Sequence, residues 1–332
     1  MIAAIDYSRK KLRETIPQMA FNGGDLIAWQ KEARAKLREL IGMDKYVKVA
    51  PEFEIDFDTE IENAREIRFT FLSEEGYRVP CHLFIPFGVE KPPVMIGLQG
   101  HSKGMHVSMR RTRYEGEEPL LEGDRDFCVR AIKEGYAAVA LEQRNFGECG
   151  GRPVGPDCTE SALVGMLAGR TTVGERVWDV MCLIDVLESE FSELVDVNNI
   201  CCMGNSGGGT ATAYIAALED RIKLAMPSAA MCTYRDSIGA VFHCPCNYVP
   251  HIAEYFDMGD LMAMAYPKYF IQVNGKDDRI FPLFGAKEVF EKGRLAYESM
   301  NAADRCVHVI GDGGHRFYAD DSWPHVHKFM GI

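Results

Sequence analysis

Beyond Pro92 the apolar residues of this chain stop alternating and gather into short continuous runs, over 94–98, 136–141, 200–203, 268–273 and 306–310, with a shorter sixth over 222–226. Runs of this kind belong to parallel strands buried on both faces, which need helical crossovers to join them. One crossover is legible, because Val173, Val177, Val180, Ile184 and Leu187 recur at helical spacing. Before Pro92 the period is two: Phe53, Ile55 and Phe57, then Ile67, Phe69 and Phe71, then Val79, Cys81, Leu83 and Ile85. This predicts three antiparallel strands, with Ser73-Glu74-Glu75-Gly76 as the turn between the second and third. Further upstream, Asp25 is placed to cap a helix carrying Leu26, Trp29, Ala33, Leu37, Leu40 and Ile41, and Gly42 is placed to end it. The expectation is an α/β fold with a mostly parallel central sheet, antiparallel N-terminal strands and helices on both faces. No repeat or linker separates the two styles, so one domain is expected over 51–332 with a helical extension over 1–50.

Composition narrows the partners. The 332 residues carry a formal net charge of -12, which argues against the basic face that nucleic-acid binders present. No run approaches the ~20 apolar residues needed to span a bilayer. The eleven cysteines are odd in number, and Cys201-Cys202 falls in an apolar run, where thiols behave as small hydrophobes. Disulfides are therefore not expected. With no signal-peptide plan at Met1-Ile2-Ala3-Ala4-Ile5-Asp6-Tyr7, a cytoplasmic location is expected.

Chemistry concentrates where the 200–203 run meets Gly204-Asn205-Ser206-Gly207-Gly208. The pattern G-x-S-x-G between a strand and a helix sets a serine at a strained turn above a sheet, and glycine at 204 and 208 removes side chains that would strike neighbouring backbone. A serine hydroxyl needs a base to take its proton and an acid to hold that base, here following in the order Ser, Asp or Glu, His. After the 268–273 run comes a loop with adjacent Asp277 and Asp278; after the 306–310 run comes Gly311-Asp312-Gly313-Gly314-His315. Ser206, one of these aspartates and His315 thus fall at three successive strand ends. The backbone N–H of Gly207 and that of His101, in the loop Gln99-Gly100-His101-Ser102-Lys103-Gly104, are the expected donors to an oxyanion. Segments 143–172 and 227–267 leave the same ends of the strands and are expected to wall the site, 227–267 as a lid or substrate-wall insertion. Gln99, His243 and Tyr248 are the residues expected to touch substrate. His243-Cys244-Pro245-Cys246 resembles half a metal site, but no second Cys or His pair is spaced to complete it, so no metal is expected. With neither G-x-G-x-x-G nor G-x-x-x-x-G-K-[ST], no cofactor is expected either.

These stretches, together with Leu98-Gln99-Gly100-His101 and Gly174-Glu175-Arg176-Val177-Trp178-Asp179, resemble the α/β-hydrolase superfamily, and within it the bacterial acetyl xylan esterase and cephalosporin deacetylase-like hydrolases. The resemblance runs from about Phe53 onward. It implies that Asp278, three residues after Gly275 and four before Pro282, is the acid. Two departures stand out. Relatives often have His-Gly where this chain has Gln99-Gly100, and glutamine where it has Gly207. The resemblance further implies a serine esterase acting on short acyl groups, acetyl on a sugar or oligosaccharide, in proteins that often form oligomers. Other carboxylesterase, dienelactone hydrolase-like and peptidase-like activities share the architecture, as does a binding module without catalysis.

Overall fold

The computed structural model describes residues 2–152 and 155–331. Nine strands form one sheet: β1 (Glu54–Ile61), β2 (Ala64–Glu74), β3 (Tyr77–Pro86), β4 (Pro93–Leu98), β5 (Ala137–Leu141), β6 (Asp196–Asn205), β7 (Ile222–Ser228), β8 (Tyr269–Gly275) and β9 (Cys306–Gly311). Their spatial order is β1-β2-β3-β5-β4-β6-β7-β8-β9. β1, β2 and β3 are antiparallel meander strands, β3 pairs antiparallel with β5, and β5, β4, β6, β7, β8 and β9 are mutually parallel.

Ten helices accompany the sheet among the described residues: α1 (Ala4–Glu14), α2 (Leu26–Leu40), α3 (Phe127–Lys133), α4 (Thr159–Leu167), α5 (Thr172–Glu190), α6 (Gly207–Leu218), α7 (Ile252–Tyr255), α8 (Met258–Ala265), α9 (Leu283–Ser299) and α10 (Ala319–Met330). The continuous apolar runs serve two cores at once, because successive side chains of a strand point to opposite faces. Val94, Ile96 and Leu98 join Val139, Ile200 and Cys202 under α5, α6 and α8, whereas Met95, Ala138, Cys201 and Met203 meet Phe127 of α3 and Trp323 of α10.

The Asp25 carboxylate caps α2 by accepting from Ala28 N–H at 3.0 Å, and Gly42 follows the helix in the left-handed region at φ 78°. Gln30 and Arg34 of α2 donate to carbonyls of Ala263 and Met264, so the extension is fastened to α8 rather than trailing from the sheet. α8 itself is buried along its whole length, packed against α6 and α9. Segment 227–267 therefore holds a core helix as well as the stretch that brings Cys246 Sγ to 3.0 Å from His101 Nε2.

At the end of β5 the chain buries a charge. Arg144 pairs in a fork with Asp179 of α5, Nε and Nη2 both at 2.8 Å, reaches Glu74 at 2.7 Å, and lies over the Tyr77 ring at 4.0 Å. Replacing one partner of such a pair leaves the other charged and dry, which costs about 3–5 kcal/mol. Arg144→Met is accordingly expected to lower unfolding stability by that amount, measured by urea titration, and to do so more than Arg65→Met at the exposed Asp58 pair.

Candidate active site

β6 ends where Ser206 takes φ 55° and ψ -120°, a conformation that costs a non-glycine residue about 1–3 kcal/mol and persists only when its surroundings enforce it. They do so here by close approach: a Cβ on Gly204 would lie 2.4 Å from the Gly208 carbonyl oxygen, and one on Gly208 would lie 2.1 Å from that of Leu98. The Ser206 N–H donates to the Ser228 carbonyl at 2.8 Å, tying the turn to β7.

The loops after β8 and β9 are held together by backbone. Lys276 N–H donates to Gly311 O at 3.0 Å and Asp277 N–H to Gly313 O at 2.8 Å, which directs the neighbouring Asp278 toward His315. Asp278 Oδ2 is 2.8 Å from His315 Nδ1, while Oδ1 accepts from Ile280 N–H at 2.8 Å and Phe281 N–H at 3.1 Å. Asp277, exposed, makes no such contact with the ring. Phe281 stacks on the imidazole at 5.8 Å between centroids, fixing its plane. With Nδ1 engaged by the carboxylate, Nε2 is the nitrogen left to serve a hydroxyl.

Ser206 and His315 line one cavity of about 210 Å³, shared with Gln99, Ser102, Arg125 and Ile280. Gly100 presses against the serine, since a Cβ there would lie 3.0 Å from Ser206 Cβ, so His101 directly follows the point of contact. Gly207 is the first residue of α6, where backbone N–H groups have no partner within the helix. A Cβ on Gly207 would fall 2.7 Å from the His101 ring, which occupies the space a larger residue at 207 would need.

Two expected substrate contacts are corrected. His243 is buried, its Nε2 3.3 Å from Ser237 Oγ, and it packs edge-on behind Phe281 rather than on the cavity. Burial pushes it down to about 4, so it is neutral at ordinary pH. Tyr248 donates its hydroxyl to Ile238 O at 3.0 Å and lines a separate cavity of about 270 Å³ against Leu12 of α1. Gln99 does line the site, but its amide nitrogen is committed to Ser108 Oγ and Arg125 O. Its Oε1 and the Ser102 hydroxyl are buried with no protein partner. Sequence reasoning missed Ser102 and Arg125; the latter sits 27 residues beyond the end of β4, with no motif around it.

Around Cys244 and Cys246 the fold gathers residues far apart in sequence: His101, Cys158, Cys244 and Cys246 each bring one side-chain N or S atom to within 4.8 Å of the others.

No family model matches the chain. Among curated proteins, the "Putative hydrolase YtaP" of Bacillus subtilis (strain 168) is 24% identical over 243 residues, 72% of this chain and 78% of that protein. Among solved structures, a "putative acetyl xylan esterase" from Bacteroides fragilis NCTC 9343 superposes with TM-score 0.78 at 16% identity, covering 93% of this chain and 82% of that one. A glucuronoyl esterase from Solibacter usitatus gives TM-score 0.68 at 14% identity, covering 91% of each chain. No helix among the described residues is long and apolar enough to cross a membrane. The strand order, the strained serine turn after β6 and these superpositions agree on one architecture: the chain has the α/β-hydrolase fold.

Proposed function

We propose that the protein is a serine esterase that removes short acyl groups, acetyl foremost, from a carbohydrate. Ser206 attacks the ester carbonyl, His315 Nε2 takes its proton and returns it to the leaving alcohol, and Asp278 holds the ring in the tautomer this requires. The N–H groups of Gly207 and His101 receive the oxyanion, and water then cleaves the acyl-enzyme.

The observation that favours a carbohydrate is Arg125, which lines the cavity beside Ser206 and His315 and pairs with no carboxylate among the described residues. A partly buried guanidinium without a partner is costly, and the hydroxyl and ester oxygens of an acylated sugar accept from it where an acyl chain does not. The small volume favours a short acyl group, and the superposed esterases whose names specify xylan or glucuronoyl substrates point the same way.

The test is acetate release from acetylated xylo-oligosaccharides, run beside 4-nitrophenyl acetate and a glucuronoyl methyl ester. Cleavage of the first two supports the reading. Cleavage of the glucuronoyl ester without acetate release moves the substrate to uronoyl esters, and cleavage of 4-nitrophenyl acetate alone removes the carbohydrate. Arg125→Ala is expected to raise KM for the acetylated oligosaccharide about tenfold, the worth of one charged hydrogen bond, while 4-nitrophenyl acetate turnover changes less than about twofold.

A further inference from the structure

Three thiols and an imidazole gather beside the loop that supplies His101. We infer that His101, Cys158, Cys244 and Cys246 form a structural zinc site that ties the loop after β4 to segments 143–172 and 227–267.

The chemistry of the donor set points to the metal. Three thiols and an imidazole, each offering one atom within 4.8 Å of the others, match the composition of a closed tetrahedral site, in which Zn–S is about 2.3 Å and Zn–N about 2.0–2.1 Å. Such bond lengths set ligand atoms roughly 3.5–3.8 Å apart. His101 Nε2 stands 3.0 Å from Cys246 Sγ, so that pair opens by about 0.5 Å on binding while any pair near the 4.8 Å limit closes by about 1 Å, shifts within reach of side-chain rotation. Soft thiolates select zinc over magnesium or calcium. Four protein ligands leave no position for water, which makes the site structural and keeps it out of the hydrolytic chemistry.

A second observation is independent of the ligands. Arg176 of α5 is 2% exposed, and no carboxylate pairs with it among the described residues. Its guanidinium instead faces the cluster, Nη1 3.8 Å from Cys246 Sγ and Nη2 3.9 Å from Cys158 Sγ, with Nε unpartnered. A buried arginine calls for an anion. Thiolates provide one, and zinc with three thiolates and a neutral imidazole has net charge -1. Binding Zn²⁺ releases the three thiol protons to solvent, and the resulting anion is balanced by Arg176.

The sequence conceals the site because only Cys244 and Cys246 are close in the chain; Cys158 and His101 come from two other segments. The inference does not rest on the esterase reading. Its test is the metal content of the full chain purified under reducing conditions, without chelator, from zinc-supplemented medium. One zinc per chain is expected in the wild type and in Cys306→Ser, a buried cysteine outside the cluster, and less than about a tenth in Cys158→Ser and Cys246→Ser. Because those two variants could misfold, the wild type is also loaded with Co²⁺, which should show the intense visible bands of tetrahedral cobalt and thiolate charge transfer, bleached by added Zn²⁺. Wild type that holds no stoichiometric zinc and gives no tetrahedral cobalt spectrum overturns the site, as does folded Cys246→Ser that keeps a full equivalent.

Discussion

Ser206→Ala is expected to lower kcat for ester hydrolysis by about 10⁶-fold while leaving the unfolding free energy within about 0.5 kcal/mol of wild type. The rate falls because no other hydroxyl occupies the elbow. Ser102, which also lines the cavity, lies in the loop after β4 and has neither the positive φ nor the β6-to-α6 position of Ser206. The fold survives because the alanine retains the backbone N–H that donates to Ser228 O, and its Cβ already has room. Residual hydrolysis of about 10³–10⁴ over water is expected from the Gly207 and His101 donors alone. Steady-state kinetics together with a denaturant melt check both halves of the expectation.

Asp278→Asn is expected to reduce kcat by about 10⁴-fold with little change in KM. The geometry gives a specific reason. Oδ1 of Asp278 accepts two backbone N–H groups, from Ile280 and Phe281, so an asparagine must keep its carbonyl oxygen there and turn its NH₂ toward His315 Nδ1. Nδ1 would then have to accept, which forces the proton onto Nε2, the atom that should receive the serine's proton. The wrong tautomer results without loss of structure. Asp277→Asn, by contrast, is expected to retain activity, because that residue holds the loops together through its backbone N–H.

Much of this architecture is legible before any coordinates. The strand residues 94–98 and 200–203 are apolar at every position, and 269–273 at all but Gln272, because the sheet is covered on both faces, and that pattern distinguishes them from the alternating strands upstream. The elbow and the two loops that follow β8 and β9 could be aligned in order because each sits directly after such a run. Other features depend on packing that sequence does not display. Apart from Asp260, which serves the capping box, α8 is apolar or small all round, Met258, Leu261, Met262 and Met264 included, so it shows no helical period within 227–267. His243 precedes Cys244 at the rim of the site in sequence, yet Phe281 intervenes between it and His315. Tyr248 turns away because its hydroxyl finds Ile238 O. The Cys–His cluster is only half legible, for a topological reason: Cys244 and Cys246 stand together in the sequence, but His101 and Cys158 join them only once three separate segments fold together.

The account's central claim is that Ser206 is the nucleophile, and the most direct measurement is covalent labelling. Treatment of the native protein with a fluorophosphonate, followed by proteolysis and mass spectrometry, should place one adduct per chain on the peptide containing Ser206, with esterase activity lost in step and no adduct in Ser206→Ala. An adduct on a different serine, or full esterase activity in Ser206→Ala, would contradict it.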